Sequence, residues 1–292
     1  MRIARFSHDG EVSYGLVLPG DSDAAQRTAG AAAAGPANGS SSAGGAASAD
    51  DGQLMIAQLA GHPFGGRPED IKLTGIRFPL PDVRLLAPIL PSKVICIGKN
   101  YAGHAREMGG EPPPEPVIFL KPSTAVCGPG DPIFRPAAIS ERIDYEGELA
   151  VVIGRLCNQV PAEMAASVIF GYTCANDVTA RDLQARDGQW TRAKGFDTFC
   201  PLGPWIETEL DPADLALTTE LNGQIKQSSR TSLLLHGVPA LIAHVSQVMT
   251  LLPGDVLLTG TPEGIGPMEK GDQVRVTIEG IGALTNPVTD RD

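Results

Sequence analysis

Short apolar runs separated by Gly, Pro and Asp turns recur along most of this chain. KVICIG (93–98), PVIFLK (116–121), ELAVVIG (148–154), VIFGYTC (168–174), ALTTELNG (216–223), GDVLLTG (254–260) and DQVRVTIEG (272–280) each read as strands. LIAHVSQVMTL (241–251) has apolar residues at 241, 242, 245, 248 and 249, the spacing of an amphipathic helix. At the N-terminus MRIARF, a turn at His8-Asp9-Gly10 and EVSYGLVL predict a hairpin, and QLMIAQLA (53–60) reads as a short helix. Strands dominate and are irregularly spaced. That pattern points to a β-rich α+β fold rather than a doubly wound sheet.

Two stretches interrupt the pattern. Residues 28–50, TAGAAAAGPANGSSSAGGAASAD, are Ala/Gly/Ser low complexity and hold too little apolar surface for a core. IRFPLPDVRLLAPILPSK (76–93) is Pro-rich and extended. We therefore expect a small N-terminal domain over 1–75, with an insertion at about 24–49, and a larger domain over 76–292. The sequence contains no P-loop, no dinucleotide-binding glycine fingerprint and no internal repeat.

Charge removes several function classes. The net charge of −11 argues against nucleic-acid binding, which needs a basic face. MRIARFSHDG has no apolar stretch behind it, and no run reaches the length of a membrane span. Five scattered cysteines without a C-x-x-C pair read as free thiols in a reducing cytosol. The expectation is a cytoplasmic protein away from the membrane.

IDYEGELAVVIG (143–154) carries Asp144, Glu146 and Glu148 at alternate positions as it enters a strand, so the three acids share one face. Like charges so close need positive partners or open water. Glu146 and Glu148 can chelate a hard cation such as Mg²⁺ or Mn²⁺, and Asp177 in GYTCANDVTARDLQ offers a third oxygen ligand. The competing reading is a pair of surface acids on an edge strand. His104 and Glu107 in GKNYAGHAREMGG lie three apart, one helical face, where the carboxylate can orient the imidazole to activate water. The glycines at 103, 109 and 110 let that segment serve as a lid, although such a pair is commonly a surface feature. Lys194 in KGFDTFCPLGPW is a candidate oxyanion stabiliser beside a metal, or an exposed lysine. The turn LLTGTPEGIG, with Thr261, can hold a carboxylate through its N–H groups and hydroxyl, or merely link strands. Arg181 and Gln184 are further polar groups in these stretches.

These segments, together with PVIFLKPSTAVCGPGDPI, LNGQIKQ and KGDQVRVTIEGIGALTN, resemble the fumarylacetoacetate hydrolase family from about residue 93 to 288, in the family's order. The resemblance implies a mixed β-sandwich roll with a small N-terminal domain, commonly as a homodimer. It implies one Mg²⁺ or Mn²⁺ on Glu146, Glu148 and Asp177, a water-activating dyad of His104 and Glu107 on a lid, and Lys194 in the metal pocket. It sets substrate contacts near Arg181, Gln184 and Thr261. The insertion near 24–49 departs from the family pattern, as does His236, where relatives often carry an aromatic residue.

The chemistry so implied starts from a short 2-oxo acid held as an enolate. Hydrolysis of a C–C bond in an acylpyruvate or fumarylpyruvate is the favoured expectation, because the dyad is intact. Decarboxylation of an oxaloacetate-like acid and isomerisation of 2-hydroxyhepta-2,4-diene-1,7-dioate use the same residues. A non-catalytic small-acid binder is the alternative outside enzymes. A glycosidase using Glu146 and Glu148 is disfavoured by a chain with only 2 Trp and 4 Tyr.

Overall fold

The computed structural model describes residues 1–20, 54–64 and 71–291. The low-complexity insertion at about 24–49 lies outside the described residues. The predicted hairpin forms, as strands Arg2–His8 and Glu11–Pro19. The short helix expected at 53–60 is instead the strand Leu54–Leu59, paired between Glu11–Pro19 and Leu73–Pro79. Its apolar residues have no helical period, and pairing on both edges overrides local preference. The Pro-rich stretch continues this layer: Leu73–Pro79 extends the hairpin sheet, and Arg84–Leu86 pairs with Arg2–His8.

The N-terminal strands join a 12-stranded sheet through the pairing of Arg2–His8 with Cys200–Glu207. At its centre Gly147–Ile153 lies antiparallel to both Ile169–Asn176 and Val256–Leu258. Val256–Leu258 runs parallel to Val94–Gly98, which pairs with Val117–Lys121. A five-stranded sheet built on Ala216–Leu221, Gln273–Ile278 and Gly282–Asp290 packs against it. Leu149, Val151 and Ile153 share a core with Leu217, Val276 and Ile278, while Ala150 and Val152 pack with Val94, Val256 and Leu202 on the other side. Gly147–Ile153 is thus buried on both faces, which is why ELAVVIG is almost continuously apolar. The molecule is a β-rich α+β sandwich.

The helix expected at 241–251 runs from Val238 to Val248, starting earlier because Pro239 in the first turn suits a helix start. Leu241, Ile242 and Val245 are buried, whereas Val248 faces solvent. All five cysteines are free and buried.

Candidate active site

The register of the central strands builds the site. Gly147 pairs with Asn176, so Glu146 and Asp177 lie side by side just beyond the paired ends, where the Asp177 N–H donates to the Glu146 carbonyl at 2.8 Å. Asn176 Oδ1 accepts from the Glu146 N–H at 2.9 Å. Gly147 separates the two glutamates because the chain passes close to the second sheet there: a Cβ would stand 2.1 Å from Thr219 Oγ1.

Asp144, Glu146, Glu148 and Asp177 are all buried, which disposes of the surface-acid reading. Positive partners hold three of them. Asp144 accepts from Arg142 and Arg181 at 2.9 Å each. Glu146 is bonded by Arg181 and by Lys194 Nζ. Lys194 Nζ donates at 2.7 Å to both Glu146 and Asp177, and Lys121 Nζ also donates to Asp177. Burial alone would raise the Glu146 carboxyl, but Lys194 and then Arg181 outweigh it and hold the group below the ordinary carboxylate range.

Glu148 has no cationic partner among the described residues. One oxygen accepts from the Gly260 N–H at 2.6 Å. Burial first, then the charges of Asp177 and Glu146, push its carboxyl well above the ordinary value. One ligand oxygen from each of Glu146, Glu148 and Asp177 lies within 4.8 Å of the other two. Three converging carboxylates, one lacking a countercharge, fit a hard divalent cation of the Mg²⁺ or Mn²⁺ type.

His104 and Glu107 lie on the short helix Ala102–Glu107. His104 is buried, with Nδ1 3.3 Å from Glu107 Oε2. The other carboxylate oxygen accepts from the Gly264 N–H at 3.1 Å. Gly264 has φ of +97°, and a Cβ there would stand 2.2 Å from the Lys226 carbonyl, so the position calls for glycine. Its carbonyl accepts from Tyr145 Oη at 3.0 Å. Burial, with Asp144 and Glu107, pushes the Tyr145 phenol up to about 12, which keeps it a donor. Tyr145 and Glu107 thus hold the two peptide groups that flank the Gly264 Cα, and Glu107 in turn meets His104.

A cavity of about 310 Å³ is lined by His104, Glu146, Glu148, Asp177, Arg181, Gln184, Lys194 and Thr261. Glu107 sits behind His104 and lines the adjoining cleft. Arg181 is spent on Asp144, Glu146 and Gln184 Oε1. The Thr261 hydroxyl donates to the Gly147 carbonyl and accepts from Gln227. The Gln184 side-chain nitrogen has no partner among the described residues. His236 is absent from this lining; its backbone N–H and carbonyl bond Asn100. Sequence reasoning missed Lys121, Tyr145 and the cavity residues Lys99, Met108, Phe119 and Trp190. Lys121 closes the apolar strand Val117–Lys121 and is its one buried residue; the signal was a charge ending an apolar run.

Comparison with known proteins places this geometry. The family model described as Fumarylacetoacetate (FAA) hydrolase C-terminal matches residues 93–289. The chain belongs to the fumarylacetoacetate hydrolase family. A second model, Rv2993c-like N-terminal, covers residues 1–88, and Protein Rv2993c of Mycobacterium tuberculosis is 60% identical over 81% of this chain and 88% of its own length. The rat mitochondrial oxaloacetate tautomerase Fahd2a is 45% identical, covering 72% of this chain and 71% of the relative. The crystal structure of 5-carboxymethyl-2-hydroxymuconate delta-isomerase from Mycobacterium smegmatis is 51% identical with a TM-score of 0.83 over 100% of both chains. Fumarylpyruvate hydrolase from Pseudomonas aeruginosa, in complex with Mn²⁺ and pyruvate, is 34% identical with a TM-score of 0.66 over 70% of this chain and 91% of that one.

Proposed function

We propose that this protein is a divalent-metal-dependent enzyme that moves a proton at C3 of short 2-oxo acids, as a tautomerase or isomerase. The observation that carries the reading is the buried His104, oriented by Glu107, in one cavity with Glu146, Glu148 and Asp177. Those three carboxylates would hold the ion. When bound, Mg²⁺ or Mn²⁺ would polarise the 2-oxo group and raise the acidity of the C3 protons.

The side chains divide the remaining work. With its Nδ1–H engaged by Glu107, His104 keeps Nε2 as the nitrogen that takes and returns a proton. Lys194 and Lys121 fix the directions of Glu146 and Asp177. Arg181 holds Glu146, and the Gln184 amide is left to donate to a substrate carboxylate. Ile97, Phe119 and Trp190 give the cavity apolar walls, which strengthen charge interactions inside it.

Hydrolysis of an acylpyruvate-type C–C bond, the expectation from sequence, is the second reading. It asks the same dyad to deprotonate water, and the fumarylpyruvate hydrolase similarity favours it. The relatives called isomerase and tautomerase are more similar to this chain, at 51% and 45% identity, which is why proton transfer stands first.

The test gives the purified chain enol-oxaloacetate and acetylpyruvate separately, with Mg²⁺ or Mn²⁺ and then with chelator, subtracting the metal-only background. Enol loss in oxaloacetate faster than acetylpyruvate cleavage supports proton transfer, and pyruvate is assayed in parallel to score decarboxylation. Faster acetylpyruvate cleavage promotes hydrolysis. Inertness toward both, or rates untouched by chelator, counts against the whole reading. Tyr145→Phe should lower kcat about 3- to 10-fold, the effect of one lost hydrogen bond, with KM unchanged. A raised KM at constant kcat would show that Tyr145 does not act through the dyad.

A further inference from the structure

The motif LNGQIKQ (221–227) has no part in the chemistry above, yet its last residue grips the strand that carries the carboxylates. Gln227 is the one buried residue of the edge strand Gln224–Arg230, at 1% exposure. Such a position ordinarily takes an apolar side chain; here it takes an amide. Both ends of that amide are used. Its Oε1 accepts from the Gly147 N–H at 2.9 Å, and its Nε2 donates at 2.8 Å to the Thr261 hydroxyl and to the Pro262 carbonyl. The Thr261 hydroxyl in turn donates to the Gly147 carbonyl at 3.0 Å. The pairing of Gly147–Ile153 with Val256–Leu258 ends at Ala150, so Gln227 and Thr261 take the place of a neighbouring strand at Gly147.

Gly147 lies between two of the three clustered carboxylates, Glu146 and Glu148. Its N–H belongs to the peptide that follows Glu146 and its carbonyl to the peptide that precedes Glu148, so a bond to each restrains the tilt of both side chains. The same amide anchors the middle of the turn whose ends hold Glu148, through the Gly260 N–H, and Glu107, through the Gly264 N–H. Gln227 does not line the cavity and acts through the backbone. A restrained pair of ligands matters differently to different ions. Mg²⁺ requires oxygens at about 2.0–2.1 Å in near-octahedral order, whereas Ca²⁺ accepts about 2.3–2.6 Å and irregular sets. We propose that Gln227 is a positioning residue that fixes the relative tilt of Glu146 and Glu148 and thereby favours Mg²⁺ over the larger, more tolerant Ca²⁺. This role rests on the metal-dependent function proposed above.

The experiment titrates the metal-free protein with MgCl₂ and with CaCl₂ by calorimetry, beside melting curves. Wild type should bind both ions. Gln227→Met, similar in size but without the amide, should weaken Mg²⁺ binding about tenfold, the scale of losing a partner behind a metal ligand. Ca²⁺ binding should move by less than about threefold, because that ion tolerates the altered spacing. Thr261→Val frees the Gly147 carbonyl and leaves the Gln227 bond to the Gly147 N–H. It should shift the ratio of Mg²⁺ to Ca²⁺ affinity the same way, by about three- to fivefold. If Gln227→Met does not fold, Thr261→Val decides. Variants that lose stability and weaken both ions alike overturn the proposal, as does an unchanged ratio. Wild type that binds neither ion discards both this role and the metal-dependent reading. Wild type that binds Mg²⁺, with the ratio unmoved in the variants, discards the role of Gln227 alone.

Discussion

Glu148→Gln should cut metal-dependent turnover at least about 100-fold and yet make the metal-free protein more stable than wild type. Both effects come from the same feature. Glu148 is buried beside Glu146 and Asp177 without a cationic partner among the described residues, and its carboxyl is raised well above the ordinary range. At pH below the ordinary carboxylate range the group is protonated in folded and unfolded chains, and its stabilising contribution is fully present. As pH rises through that range the unfolded chain ionises first, so wild type loses stability until the raised folded value is passed. Glutamine has no such loss and can still accept the Gly260 N–H. With saturating Mg²⁺ the order reverses, because wild type gains about 2.7 kcal/mol at a hundred times Kd and the variant does not. Melting curves across pH, with chelator and with Mg²⁺, check this. A variant that melts below wild type at pH 8 in chelator, and still gains from Mg²⁺, would remove Glu148 from the metal site.

His104→Asn should lower turnover about 10²- to 10⁴-fold, the usual worth of a positioned acid–base group. His104 is not one of the clustered carboxylates, so the Mg²⁺-induced rise in Tm should survive, and KM should move little. Glu107→Gln should cost less, because the imidazole remains and loses only its anionic partner and the orientation that partner gives. Steady-state kinetics beside Mg²⁺ melting curves separate the two functions. If His104→Asn loses metal response along with activity, the residue belongs to the ion's setting and not to proton transfer.

The strands that sequence patterning found best were those buried on both faces. ELAVVIG announces itself because no position along it meets water, and KVICIG because Val94 to Ile97 are all buried. Cys200–Glu207 is equally buried and escaped notice because Pro201, Gly203 and Pro204 look like a turn. The acidic alternation at Asp144, Glu146 and Glu148 was legible, and so was its demand for positive charge. Which cations meet it was not. Arg181 and Lys194 lie within 37 and 48 residues of the acids they bind, but Lys121 meets Asp177 only through a strand order that sequence does not reveal. The dyad was legible as a helical pair three residues apart. Its support from Gly264 and Tyr145 bridges 157 and 119 residues and depends wholly on how the sheets pack.

In the proposed reaction His104 exchanges a proton at C3 of a 2-oxo acid held beside Glu146, Glu148 and Asp177. Deuterium wash-in at C3 of pyruvate, followed by proton NMR in D₂O with Mg²⁺, tests it without assuming which full reaction follows. Exchange should run well above the Mg²⁺ background in wild type and be abolished by chelator and by His104→Asn. Exchange no faster than background, or equally fast in His104→Asn, would contradict it.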